Sequence, residues 1–153
     1  MALICFENVG ISAMAAAVPA NTINNLDYTE HFSLEEAKKV VEKIGVYKRR
    51  FAQPGVCSSD LCYSAAEKLL SDNNIDRSEI DLLVFISQTP DYRMPATSVI
   101  LQDRLKLSHN TITFDLSLGC SGFIFGLSLI YSFMERSTLR KALLLDGETR
   151  SRI

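Results

Sequence analysis

The 153-residue chain has no tryptophan and only two histidines, His31 and His109. Its four cysteines, at 5, 57, 62 and 120, show no C-x-x-C spacing. So few ligands at such spacings give no zinc pattern, and no metal is expected. No charge of one sign dominates: 16 Lys and Arg stand against 18 Asp and Glu, for a net charge of −2. Neither nucleic acid nor an anionic membrane surface is therefore expected as a partner. The N-terminus, Met1 to Glu7, lacks the basic flank and long apolar run of a signal peptide. A cytoplasmic protein with reduced thiols is the expectation. There is no internal repeat and no low-complexity tract. What is present is 47% hydrophobic and 22% charged residues, enough apolar material for the core of one domain.

The chain is organised around one stretch, Thr113 to Met134. It reads as a strand, a sharp turn at Gly119 and a helix, and Leu116 to Met134 contains no charged residue. Phe123, Ile124, Phe125, Leu127, Leu129, Ile130, Tyr131, Phe133 and Met134 point in every direction around a helical period. Such a helix is expected to be buried on all sides. Cys120 sits at its start. Unpaired N–H groups and the helix dipole favour a thiolate there, and the thiolate is the nucleophilic form. Gly119 and Gly122 allow close backbone approach, so that N–H groups could face a carbonyl oxygen. The alternative is that Cys120 is a small buried residue with no chemistry. A membrane span is disfavoured, because the preceding strand would have no partner in lipid.

In chain order, Val9 to Val18 reads as a strand ended by Pro19, and Asn21 to Asn25 as a turn-rich link. Ser33 and Glu36 form a capping box that opens a helix through Ile44, with Gly45 as a left-handed cap. Lys38, Lys39, Glu42 and Lys43 mark its exposed face. Lys48-Arg49-Arg50 is either a solvated basic face or a phosphate contact. Ser58 or Ser59 caps a helix from Asp60 to about Asp72. Ile80 to Ser87 is a near-continuous apolar run, as in a parallel strand buried on both faces. Gln88 to Pro95 is a loop, Ala96 to Leu105 a helix, and Thr111 to Leu116 a strand. Ala142 to Asp146 is another buried strand. The alternation gives an α/β fold with a mixed, mostly parallel sheet and helices on both faces. The all-apolar helix then needs cover that the rest of the chain is too short to supply. Either the chain is a fragment or it dimerises through that helix.

At Asp115-Leu-Ser-Leu-Gly-Cys-Ser-Gly-Phe-Ile-Phe-Gly-Leu the sequence resembles the thiolase-like condensing enzymes, and among them the 3-oxoacyl-(acyl-carrier-protein) synthase III group. Ile44-Gly-Val-Tyr-Lys-Arg-Arg-Phe-Ala-Gln-Pro resembles the family's segment around "TGI". Ser87-Gln-Thr-Pro with Met94-Pro-Ala-Thr-Ser resembles its loop before a helix. Leu144-Leu-Asp-Gly-Glu-Thr resembles the strand after the nucleophile helix. The resemblance implies the N-terminal half of a thiolase-like fold over residues 1–153, with the C-terminal half absent. In that fold the nucleophile helix is buried between two sheets.

The resemblance further implies that Cys120 is the catalytic nucleophile. It would take an acyl group from acyl-coenzyme A and condense it with malonyl-acyl-carrier protein, releasing carbon dioxide, as in fatty-acid or polyketide-type synthesis. No cofactor is implied, and a homodimer is. The family's catalytic His and Asn lie in the second half; His31 and His109 do not match them. Lys39 and Lys43 stand where priming members carry a Trp and an Arg against the coenzyme A nucleotide. Arg152 stands about where the family has an Arg that stacks on adenine, and Met94 where a residue reaches the partner's acyl pocket. With no Trp, stacking is lost while cationic contacts to phosphate remain, which allows a different acyl donor. The alternatives are a related coenzyme A thioester enzyme with different condensation chemistry and a non-catalytic thiolase-fold subunit or interaction module. A Cys–His hydrolase is disfavoured, because an α/β-hydrolase elbow needs Gly where Leu118 stands.

Overall fold

A computed structural model describes residues 3–27 and 32–150. His31 and Arg152 lie outside the described residues. The elements in order are β1 (Thr22–Asn24), α1 (Leu34–Ile44), β2 (Lys48–Arg50), α2 (Ser58–Asp72), β3 (Leu82–Ile86), α3 (Thr97–Arg104), β4 (Ile112–Leu116), α4 (Gly122–Glu135) and β5 (Ala142–Asp146). The chain divides into two units.

The smaller unit, Val18–Val56 with the terminal residues, holds β1, α1 and β2. The capping box of α1 forms as expected: Glu36 N–H donates to Ser33 Oγ at 3.3 Å, and Ser33 N–H to Glu36 Oε2 at 3.0 Å. Gly45 closes the helix at φ +73°, donating to Val41 O at 2.8 Å. β1 and β2 pair antiparallel, Thr22 opposite Arg50. Part of the expected link at 21–25 is therefore a strand. Its ladder partner is the basic run, whose Arg50 donates to the carbonyls of Pro19 and Ala20, both at 3.1 Å.

The larger unit is a three-stranded parallel sheet in the order β4-β3-β5. Every residue of β3 is buried, as its unbroken apolar sequence predicts for an interior parallel strand. The two-residue period of the strand divides the core. Leu83 and Phe85, with Leu143 and Leu145 of β5, pack against Cys62, Ala66 and Leu70 of α2 and Leu101 of α3. Leu82, Val84 and Ile86 face the other way, onto Ile130 of α4. Helices thus cover both faces, and the α/β reading holds.

Three expectations change. The segment Val9–Val18 joins no strand ladder. It faces β5 across a cleft lined by Ile11, Ala13, Leu127, Ile130 and Leu144. Its run of Gly, Ser and Ala offers little side-chain area to fix a register. The helix α2 starts earlier than expected: Cys57 takes the cap position, with its N–H donating to Asp60 Oδ2 at 2.8 Å. Ser58 and Ser59 are buried inside the first turn instead of capping it. And α4 is covered on one side only. Gly122, Gly126 and Ile130 are buried, whereas Ile124 and Phe125 are 63% and 60% exposed. Among the described residues no helix is long and apolar enough to cross a membrane.

Candidate active site

In open parallel sheets, ligands bind beyond the C-terminal ends of the strands. Here those ends are tied together. Ser87 N–H donates to Leu116 O at 3.2 Å, and Gly147 N–H to Ile86 O at 3.1 Å, extending both ladders past the strands. Three connections emerge side by side: 117–121 after β4, 87–96 after β3 and 147–148 after β5.

Cys120 lies in the first of these and is exposed. The turn is tight: Gly122 N–H donates to Gly119 O at 2.7 Å, and Phe125 N–H to Ser121 O at 3.1 Å as α4 begins. Gly122 is required by space, and Gly119 is in close contact with the end of a flexible side chain. A Cβ at Gly119 would stand 2.7 Å from Gln88 Nε2, and one at Gly122 would stand 2.7 Å from Ile86 Cγ2. On their Cα side, Gly119 lies against the Gln88 side chain and Gly122 against Ile86 of β3. Gly126 repeats the pattern one turn on, against Ile86 and Leu144. The glycines of α4 therefore form the surface by which the helix rests on the sheet, and this sets where Cys120 emerges.

Two carboxylates fix the surrounding loops, and sequence reasoning gave neither a role. Asp115, near the end of β4, accepts from Thr97 N–H at 2.7 Å and Ser98 N–H at 2.8 Å. It caps α3, whose own cap residue Ala96 has no side-chain acceptor. The only signal was an Asp in a mostly apolar strand that follows a helix with no capping side chain of its own. Glu148 accepts from Gln88 N–H at 2.6 Å and Thr89 Oγ1–H at 2.8 Å. Beneath the same loop, Ser58 Oγ–H donates to Thr89 O at 2.7 Å, and Ser59 Oγ–H binds Asp91. Arg104 donates to Ser59 Oγ at 3.1 Å and pairs with Asp60 at 2.9 Å.

Cys62 lies under Gly147, where a Cβ would run into its Sγ. Burial pushes its thiol up to about 12, helped by the carboxylates of Asp146, Asp91 and Glu148. It stays protonated through the alkaline range and is inert as a nucleophile.

The other candidates lie on other elements. Met94 is 89% exposed on the loop before α3. Lys39 and Lys43 stand a turn apart on the exposed face of α1, in the smaller unit, and Lys39 pairs with Glu35 at 2.8 Å. His109 is an exposed turn residue. Among the described residues no cluster of His, Cys, Asp and Glu could hold a metal.

Comparison with known proteins points one way. The family model for 3-oxoacyl-[acyl-carrier-protein (ACP)] synthase III matches residues 114–153, the segment from β4 through Cys120 to the end. A beta-ketoacyl-[acyl-carrier-protein] synthase III of Rhodospirillum rubrum is 34% identical over 94% of this chain and 44% of its own length. The chain thus spans less than half the length of the curated relatives it matches. Among solved structures, a 3-oxoacyl-(acyl-carrier-protein) synthase from Burkholderia xenovorans superposes at a TM-score of 0.81. It is 36% identical and covers 86% of this chain and 38% of its own. A variant of Xanthomonas campestris OleA gives a TM-score of 0.81 at 30% identity, over 94% and 44%. In sequence and in fold, the chain is similar to 3-oxoacyl-(acyl-carrier-protein) synthase III proteins over most of its own length.

Proposed function

We propose that residues 1–153 are the N-terminal half of a condensing enzyme in which Cys120 is the nucleophile. The observation that carries this reading is the exposed thiol on a tight glycine turn, at the C-terminal ends of a parallel sheet, where α4 begins. The Cys120 thiolate attacks the carbonyl of an acyl-coenzyme A thioester, and coenzyme A leaves as its thiol. Backbone N–H groups at the helix start hold the developing oxyanion. The Cys120-bound acyl group is then attacked by the enolate left when malonyl-carrier protein loses carbon dioxide, and Cys120 is released.

Lys39, Lys43 and Arg152 are cationic candidates for the phosphates of coenzyme A. Met94 is the candidate for an acyl pocket shared across a homodimer. A His and an Asn supplied by a second half would stabilise the enolate, and that half would cover the outward face of α4. The setting is cytoplasmic.

Two measurements test the reading. Iodoacetamide labelling read by mass spectrometry is expected to modify Cys120 faster than the exposed Cys5 and to leave Cys62 unmodified until the chain is denatured. Equal or slower labelling of Cys120 would refute an activated nucleophile. In an assay with acyl-coenzyme A and malonyl-carrier protein, the 153-residue chain is expected to release no carbon dioxide above a Cys120→Ser control. Release above that control would show that the catalytic groups are all within these residues.

A further inference from the structure

The loop after β3 carries an exposed amide that touches the nucleophile turn but has no part in the chemistry above. The Gln88 side chain lies against Gly119. A Cβ there would stand 2.7 Å from its Nε2 and 2.9 Å from its Cδ. The amide therefore fills the space that any side chain at 119 would need, beside the peptide that leads into Cys120. Gln88 is itself anchored. Its N–H donates to Glu148 Oε1 at 2.6 Å, while Glu148 Oε2 takes Thr89 Oγ1–H at 2.8 Å. Ser87 Oγ, 3.5 Å from the same oxygen, accepts from Thr89 N–H at 3.0 Å. The carboxylate is held in turn through Gly147, whose N–H continues the β5 ladder onto Ile86. One line of contacts thus runs from the end of β5, through the loop after β3, to the turn after β4.

We propose that Gln88 is a positioning residue for Cys120. Its side chain, held by Glu148 through the 87–89 loop, braces the Gly119–Cys120 turn and so sets the direction of the Cys120 thiol and N–H. The proposal rests on the reading of Cys120 as the nucleophile. Gln88 acts through the turn that its side chain lies against. A reacting atom displaced by about 1 Å can lose on the order of 100-fold in rate, so a brace at this point matters to the chemistry.

The test compares the iodoacetamide rate at Cys120 with that at Cys5 in the same chain. Gln88→Ala removes the brace, and Gly119→Ala drives the amide away. Each is expected to lower the Cys120:Cys5 ratio by roughly 10-fold, within the range that misplacement produces. Gln88→Met, of equal length, is expected to keep the ratio within about twofold. The double variant Gln88→Ala/Gly119→Ala is expected to recover part of the loss, because the methyl group introduced at position 119 enters the vacated space. Recovery in the double variant is a signature that general destabilisation cannot give. Should Gln88→Ala unfold the chain, seen as native labelling of Cys62, Glu148→Gln decides, because it loosens the loop without touching the turn and must also lower the ratio. A folded Gln88→Ala with an unchanged ratio overturns the proposal. So does a double variant no better than the worse single one. The ratio in the unsubstituted chain judges the nucleophile, and its change on substitution judges Gln88.

Discussion

Phe85→Ala is expected to lower the stability of the chain by about 3–5 kcal/mol, the usual cost of deleting a buried aromatic ring. Phe85 is 1% exposed, on the central strand. It belongs to the cluster that joins β3 and β5 to α2 and α3. Neighbours on two strands and two helices leave little freedom to collapse into the void, which favours the upper part of that range. For a chain of this size, each kcal/mol moves Tm by about 2–4 °C, so the expected fall is roughly 6–20 °C in thermal circular dichroism. Total stabilities near 5–15 kcal/mol make this a large fraction of the whole. A fall below about 3 °C would mean that the cluster does not hold the sheet to α2 and α3.

Gly126→Leu is expected to cost less, about 2 kcal/mol net, but to reach the site as well. A Cβ at 126 would collide with Ile86 Cδ1 and stand 3.0 Å from Leu144 Cδ1. The substitution gains about 1 kcal/mol in helix propensity. Against that, overpacking costs about 3 kcal/mol when the neighbours are fixed. Ile86 is fully buried on the central strand, so α4 must lift from the sheet. Because Cys120 emerges directly before α4, its labelling relative to Cys5 should change together with Tm. Ile86→Ala alone opens a cavity at a cost of about 2–5 kcal/mol. Combined with Gly126→Leu it should recover about 1–2 kcal/mol, as expected of residues that compete for one space. A Gly126→Leu variant with unchanged Tm would show that α4 does not rest on β3 through its glycines.

What the sequence made legible was what neighbours along the chain decide. The apolar run at 82–86 became a fully buried parallel strand and 142–146 a parallel strand buried at Leu143 and Leu145, and Ser33, Glu36 and Gly45 delimited α1. The turn at Gly119 with Cys120 followed from the change of periodicity between 116 and 123. What stayed hidden depends on residues remote in sequence. The cap of α3 comes from Asp115, on the next strand. Gly119 lies against Gln88, and Gly126 against the buried Ile86. Three-residue strands such as β1 carry too little pattern to read. The apolar circumference of α4 predicts burial on all sides, and these residues bury it on one.

The parallel order of the sheet also governs how the chain reaches its fold. No two of its strands are joined by a hairpin. Leu82 pairs with Ile112 on one side and with Ala142 on the other, so each ladder closes a long loop before its first hydrogen bonds form. Such non-local pairing is intrinsically slow. During synthesis β3 emerges well ahead of β5, and one edge of a wholly apolar strand stays unpaired until residues 142–146 arrive. An open edge of that kind invites pairing with another chain. Yield of folded material should therefore depend on protein concentration and on protection of β3 during refolding more than on the final stability of the sheet.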